Sequence, residues 1–149
     1  MGSKIKYFKG EYFFLSNYYN SPILFGLADG ESVMAPTMEH YFQASKTIYL
    51  DQQKKILSAA TPGEAKKLGR TCTLRSDWEE IKDSIMYLGL RQKFHNPTLQ
   101  KKLLATGEEE LIEGNWWNDT YWGVCNGVGK NKLGKLLMKL REEYKNQAL

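Results

Sequence analysis

The sequence predicts an α+β fold: a mostly helical single domain, residues 1–149, with a small β-hairpin near the N-terminus. Three observations lead there. Apolar alternation around an Asp-Gly pair is confined to the first third of the chain. Capping signals followed by apolar residues at helical spacing recur through the rest. No repeat, low-complexity tract or linker interrupts the 149 residues, a length that suits one domain with a sizeable core.

Residues 5–8 and 22–27 are strand candidates, and Asp29-Gly30 separates the second from residues 31–35. Asp-Gly between two such runs signals a type I′ turn, which needs positive φ at both central residues. Pro36-Thr37 opens a helix from Met38 to about residue 49, with Thr37 as N-cap. Asp51 is placed to cap a short helix through residue 60. Thr61-Pro62-Gly63-Glu64 combines a capping box with Pro at the first helical position, and Gly69 closes that helix. Ser76 and Glu79 form a second box, after which Trp78, Ile81, Ile85 and Leu88 should face the core. Asn96-Pro97 opens a helix that Gly107 ends. Residues 115–130, rich in Gly, Asn and Trp, read as an ordered loop. A last helix covers about residues 131–146, with Leu133, Leu136, Leu137 and Leu140 on its apolar stripe.

Hydrophobic residues at 42% and charged residues at 26% exclude a disordered chain. No apolar run approaches the roughly 18 residues of a membrane span, and the first ten residues lack a secretory signal's apolar stretch. The expectation is therefore a cytoplasmic protein with no membrane partner. Two cysteines, Cys72 and Cys125, and two histidines cannot close a Cys/His zinc site or build a disulfide framework. No metal and no cofactor is expected. The net charge is +4, and residues 130–149 hold six basic side chains against Glu142 and Glu143, which equals the whole excess. Such a stripe favours phosphate-bearing partners and offers DNA a contact along the last helix. A solvated helix face explains the same stripe.

Four segments carry chemistry. In Glu39-His40-Tyr41-Phe42-Gln43-Ala44-Ser45-Lys46, a turn of about 100° per residue puts Glu39, Gln43 and Lys46 on one helix face. A carboxylate, an amide and an amine are costly to bury unless they pair or do work. Lys46 lies too far along for an adjacent-turn ion pair with Glu39. The alternative is a solvated face. His40 points elsewhere and reads as a packed, hydrogen-bonded ring. Asn115-Trp116-Trp117-Asn118-Asp119-Thr120-Tyr121-Trp122-Gly123 sets flat rings beside polar groups, as a nucleobase or ribose site needs; the alternative is that at least one of Trp116 and Trp117 plugs the core. Asn126-Gly127-Val128-Gly129-Lys130-Asn131 enters the last helix, where free N–H groups favour anions; a tight Gly turn is the other reading. Leu15-Ser16-Asn17-Tyr18-Tyr19 is a polar-aromatic loop or ordinary turn chemistry. Cys125 reads as a packed thiol.

These pieces, in this order and spacing, resemble the NADAR domain, the YbiA-like proteins, along nearly the whole chain. They are Leu15-Ser16-Asn17, Glu39-His40-Tyr41-Phe42-Gln43-Ala44 with Lys46, Asp77-Trp78, Leu90-Arg91 with Lys93-Phe94, and Asn96-Pro97. Thr106-Gly107 with Leu111 and Glu113, Asp119 with Trp122-Gly123, and Gly129 with Asn131, Leu133-Gly134, Leu137-Met138 and Arg141 complete the set. Tyr18 and Asn20 depart from the usual Phe and Pro, and the loop before Gly129 is short.

The resemblance implies an N-glycosidase acting on a ribose attached to nitrogen. Two substrate types are associated with the family: ADP-ribose on the exocyclic amine of guanine, in DNA or as a nucleotide, and the ribosylamino-pyrimidine phosphates of riboflavin synthesis. It makes Lys46 the candidate nucleophile; the glycosylamine chemistry shared by both substrates lets that amine attack the ring-opened imine and form a Schiff base, with Glu39 serving proton transfer or the ribose hydroxyls and Asp119 as second acid/base group. Trp78 and Trp122, with Gly123, would stack on the base or cover the ribose. Asn17, Gln43 and Asn131 would bind hydroxyls or phosphate, and the Gly129 turn phosphate. The rival chemistry keeps the ring closed as an oxocarbenium ion. A non-catalytic reader of ADP-ribose or nucleic acid, and a structural partner domain, are the other classes.

Overall fold

The computed structural model describes residues 3–147. Met1, Gly2, Ala148 and Leu149, the outermost residues of the N-terminal segment and the basic C-terminal segment, lie outside the described residues. The chain forms two compact units: an outer one from Met1–Ser16 with Phe94–Leu149, as far as described, and an inner one, Asn17–Lys93.

The outer unit starts the chain. Extended pairing covers Lys4–Ile5 (β1) rather than residues 5–8, because its parallel partner, Glu110–Leu111 (β4), is itself two residues long. A 3-10 helix, Gly10–Leu15, follows and buries Phe14 and Leu15.

In the inner unit, Asn20–Gly26 (β2) and Ser32–Thr37 (β3) form the antiparallel hairpin. Ser21, Ile23 and Phe25 face inward in strict alternation. The turn is not type I′. Leu27 N–H donates to Glu31 O at 2.8 Å and Gly30 N–H to Leu27 O at 3.0 Å, so three residues close the hairpin. Gly30 takes positive φ, 91°. Asp29 instead uses Oδ1 to accept the Glu31 N–H at 3.0 Å.

Thr37 caps the first helix, Met38–Ala44 (α1), accepting the His40 N–H at 3.1 Å. The His40 ring is packed: Nδ1 meets the Thr37 hydroxyl at 2.9 Å, and Nε2 donates to Ala59 O at 3.0 Å. α1 ends at Ala44, not near residue 49. Ser45 turns its hydroxyl onto Tyr41 O at 2.7 Å, and Lys46 N–H donates to Gln43 O at 3.2 Å, tightening the last turn. Leu50–Leu57 (α2) starts from Tyr49, so Asp51 lies in the first turn rather than at the cap, and the helix stops short of residue 60. Pro62–Gly69 (α3) starts as expected, with Thr61 Oγ1 accepting the Glu64 N–H at 3.1 Å; the Glu64 carboxylate reaches back to Ala60 N–H at 3.2 Å. Gly69 is its last residue, as expected, and Arg70 is the C-cap.

The longest inner helix is Trp78–Lys93 (α4). Asp77, not Ser76, holds the cap position: its carbonyl accepts the Ile81 N–H at 3.2 Å, and Arg75 grips its carboxylate at 2.6 and 3.2 Å. The buried stripe is Trp78, Met86, Gly89, Leu90 and Lys93. Ile81 and Ile85 are half-buried and Leu88 is 56% exposed, against the expected stripe. Gly89 sets this phase. A Cβ there would strike the Tyr41 ring and Met38, so α1 packs on the glycine and turns Leu88 outward.

Back in the outer unit, Asn96 Oδ1 caps Pro97–Ala105 (α5), accepting the Thr98 and Leu99 N–H groups at 2.9 and 3.2 Å. Gly107, at φ 64°, ends it. The expected loop contains a short parallel pair, Gly114–Asn115 (β5) with Val124–Cys125 (β6). Lys132–Gln147 (α6) buries Leu133, Leu137 and Leu140. Its leading N–H groups are not free for an anion. Those of Lys130, Asn131, Lys132 and Leu133 donate to the carbonyls of Thr120, Gly123, Tyr121 and Trp122 at 2.8, 3.3, 3.1 and 3.0 Å. Trp116 and Trp117 are 68% and 45% exposed, so neither plugs the core. They meet edge to face at 5.1 Å, and Lys9 Nζ lies 4.2 Å from the Trp116 ring centroid. Among the described residues no helix is long and apolar enough to cross a membrane.

Asn131 stitches this unit. Its Nδ2 donates to Leu111 O at 2.9 Å and its Oδ1 accepts the Glu113 N–H at 3.0 Å, both from a buried side chain. Asn131→Ala strips both partners and should cost roughly 2–4 kcal/mol, read as a lower urea midpoint. Leu88→Ala should stay within about 0.5 kcal/mol of the parent in the same assay.

Candidate active site

The inner unit gathers five of the expected residues. Glu39 is the second residue of α1 and is 7% exposed. Its N–H donates to Asn17 O at 3.0 Å, which ties the loop before β2 to the helix start. One turn on, Gln43 is buried and its Nε2 donates to Glu39 Oε2. Gln43 therefore directs its donor at a carboxylate, where a sugar hydroxyl was expected. Asn17 is buried too; its Nδ2 points at Met86 Sδ at 3.6 Å, while Oδ1 accepts no hydrogen bond.

Lys46 lies beyond the helix that carries Glu39 and Gln43. It stands in the turn beyond α1, with its carbonyl held by Arg75 N–H at 2.7 Å. The side chain is half-buried, and Nζ lies 5.9 Å from the Phe42 ring centroid. Phe42 in turn packs on buried Trp78 at 5.0 Å, tilted by 57°. Burial is the main force on the Lys46 amine and holds its pKa below the ordinary lysine value. Glu39 and Cys72 push it back up, and Lys66 and Arg70 push it down further. Cys72 donates its thiol to Gly69 O at 3.4 Å; burial raises its pKa and Lys46 opposes that rise. The cluster thus offers an amine with an enlarged unprotonated fraction, a buried carboxylate and an aromatic wall. Sequence reasoning missed Phe42, Cys72 and Gly69 as neighbours. Only their closeness in sequence to Lys46 and Trp78 hinted at it.

The outer unit carries the other five. Asp119 Oδ1 accepts the Tyr121 and Trp122 N–H groups at 3.1 and 2.9 Å. The Asn115 amide brackets its backbone, accepting from Asp119 N–H at 3.0 Å and donating to Asp119 O at 2.9 Å. Trp122 is half-buried and meets Tyr121 edge to face at 4.8 Å. Gly123 and Gly129 are sites of close backbone approach: a Cβ on Gly123 would strike Glu113 O, and one on Gly129 would strike Gly123 O. The Asn131 amide is engaged at both ends, as described.

The NADAR domain family matches residues 6–145, a span that takes in both units. The chain belongs to the NADAR family. Over 112 residues this NADAR chain is 44% identical to the N-glycosidase YbiA of Shigella boydii serotype 4, a match covering 72% of this chain and 69% of that one. It is 37% identical over 139 residues to the riboflavin biosynthesis protein VVA0006 of Vibrio vulnificus, covering 91% of this chain and 36% of that one. The NMR structure of the Escherichia coli protein YbiA superimposes with a TM-score of 0.80 at 37% identity, covering 99% of this chain and 89% of that one. The α+β fold is that of the family. As a NADAR member with relatives of this kind, the protein is an enzyme, a hydrolase of the N-glycosidase class.

The depressed Lys46 pKa has a consequence for stability. Folding disfavours the charged amine, so the penalty is full below the folded pKa and fades as pH rises towards the unfolded value of 10.5. Lys46→Met should therefore be more stable than the parent at pH 7, by a margin that narrows towards pH 10.5, measured by urea unfolding across that range.

Proposed function

We propose that the enzyme hydrolyses the bond between ribose C1 and an exocyclic amino nitrogen, and that Lys46 does so through a Schiff base. The observation that carries this reading is the half-buried Lys46 amine, its pKa lowered chiefly by burial, coupled to the Glu39 carboxylate and walled by the Phe42–Trp78 pair. An amine must be unprotonated to attack carbon, and burial raises that fraction.

The chemistry follows from the substrate. The exocyclic nitrogen lone pair expels the ring oxygen, which takes a proton, and leaves a C1=N imine. Lys46 Nζ adds to C1. A proton passes to the base nitrogen, the C1–N bond breaks with its electrons going to nitrogen, and the base departs as a free amine. A C1=Nζ imine remains. Water adds to C1, Nζ leaves with a proton, and the sugar is released. The sum is water added across one C–N bond. Glu39 relays the proton from Nζ to the departing base nitrogen and later the proton from water to Nζ, and Asp119, through Oδ2, is the second acid/base group. Trp78 and Trp122, with Gly123, serve base and ribose. Asn17 Oδ1, a buried acceptor with no hydrogen bond, suits a ribose hydroxyl.

ADP-ribose on guanine is the favoured substrate, since the lysines of α6, Lys132, Lys135 and Lys139 among them, suit a polyanion and a DNA contact. Ribosylamino-pyrimidine phosphates are the second reading, favoured by the name of the Vibrio vulnificus relative. Borohydride added during turnover should fix a reduced sugar on Lys46, visible by intact mass and peptide mapping. Lys46→Ala should lose activity by about a thousandfold or more. Near-full activity in that variant removes the covalent route in favour of the closed-ring one. Release rates on the two substrates rank them, and binding of both without release of free sugar excludes both as substrates.

A further inference from the structure

We propose that Gly69 is a positioning residue for Glu39 and acts through Gln43. The inference rests on the role given to Glu39 above. Gly69 is the last residue of α3, is buried, and has ordinary right-handed backbone, so conformational freedom does not explain a glycine there. What explains it is space. A Cβ at Gly69 would overlap Gln43 Oε1 and Cδ.

The Gln43 amide has little choice of pose. It is 4% exposed. Its Nε2 donates to Glu39 Oε2, and a flipped amide would set oxygen against oxygen. Oε1 therefore has to face α3, where it accepts no hydrogen bond. The glycine leaves that side open to the amide oxygen. A methyl group there would force Gln43 to rotate and would draw Nε2 away from the carboxylate. Gly63, in the same helix, shows the contrast: its Cβ would meet only Thr61 Oγ1, at 4.0 Å. One glycine in α3 is thus shaped to Gln43 and the other is not. Gly69 touches neither Glu39 nor a substrate in this account; it sets the aim of a group that does.

The test is a double-mutant cycle on whichever of the two N-ribosyl substrates turns over, with circular dichroism as a check of folding. G69A should lower kcat about tenfold through loss of aim and leave KM within about twofold. G63A should match the parent. Gln43→Met keeps the bulk of the side chain and removes the donor, so it should reproduce the kcat loss. The double variant should be no worse than Gln43→Met alone, because both changes break one linkage. Parental kcat in G69A, or losses that add in the double variant, overturns the proposal. If G69A does not fold, Gln43→Met decides: a kcat loss supports the linkage and parental kcat overturns it. Glu39→Gln is run alongside. Full activity there overturns the Glu39 reading and this inference together, whereas an inactive Glu39→Gln beside an unimpaired G69A overturns this inference alone.

Discussion

A carboxylate taken out of water must have donors aimed at it, and the inner unit is organised around meeting that demand for Glu39. Thr37 caps the helix two residues earlier, which fixes where α1 begins. The Asn17 carbonyl then holds the Glu39 amide, and Gln43 delivers a donor to the carboxylate one turn later. Helix α3 contributes by leaving room. Three stretches of chain, the loop at Asn17, residues 37–43 and α3, thus bear directly or through Gln43 on one acidic group, more than a surface carboxylate needs.

The early end of α1 serves the same centre. Seven residues along an unbroken helix separate two side chains by about 10 Å. The turn at Ser45 removes Lys46 from that geometry, and the Arg75 amide holds the new path by binding the Lys46 carbonyl. The amine then feels Glu39 as a charge while burial works against its own protonation. These influences oppose one another. Burial wins, so the group stays lower than an ordinary lysine although an anion lies near it.

Much of this was legible in residue order. Caps at Thr37, Thr61 and Asn96 announced three helix starts, because a short polar side chain before an apolar run has few other uses. The hairpin and the helix stop at Gly107 were legible for similar local reasons. What failed depended on packing. Leu88 sits at a plausible core spacing, yet the phase of α4 is set by the close approach of α1 at Gly89. Gly69 was legible as the end of α3, but not the room it leaves for Gln43. Glu39 and Gln43 were found because they lie one helical turn apart. Lys46 was found through the family's motif, while its departure from the helix depends on a serine hydroxyl that turns back. The anion site expected at the start of α6 failed because carbonyls from residues 120–123 reach the donors first.

That ladder between residues 120–123 and 130–133 has a further effect. With the β5–β6 pairing at Val124–Cys125 and the Cys125–Val128 bridge, it narrows the excursion to a tip where Asn126 and Gly127 carry positive φ. Lengthening a clamped tip costs only closure entropy, about 0.6 kcal/mol for each doubling. The tip can therefore grow or shrink between relatives while the start of α6 and the Asp119 turn keep their shape. Variation in length at this point is decoupled from the framework beneath it.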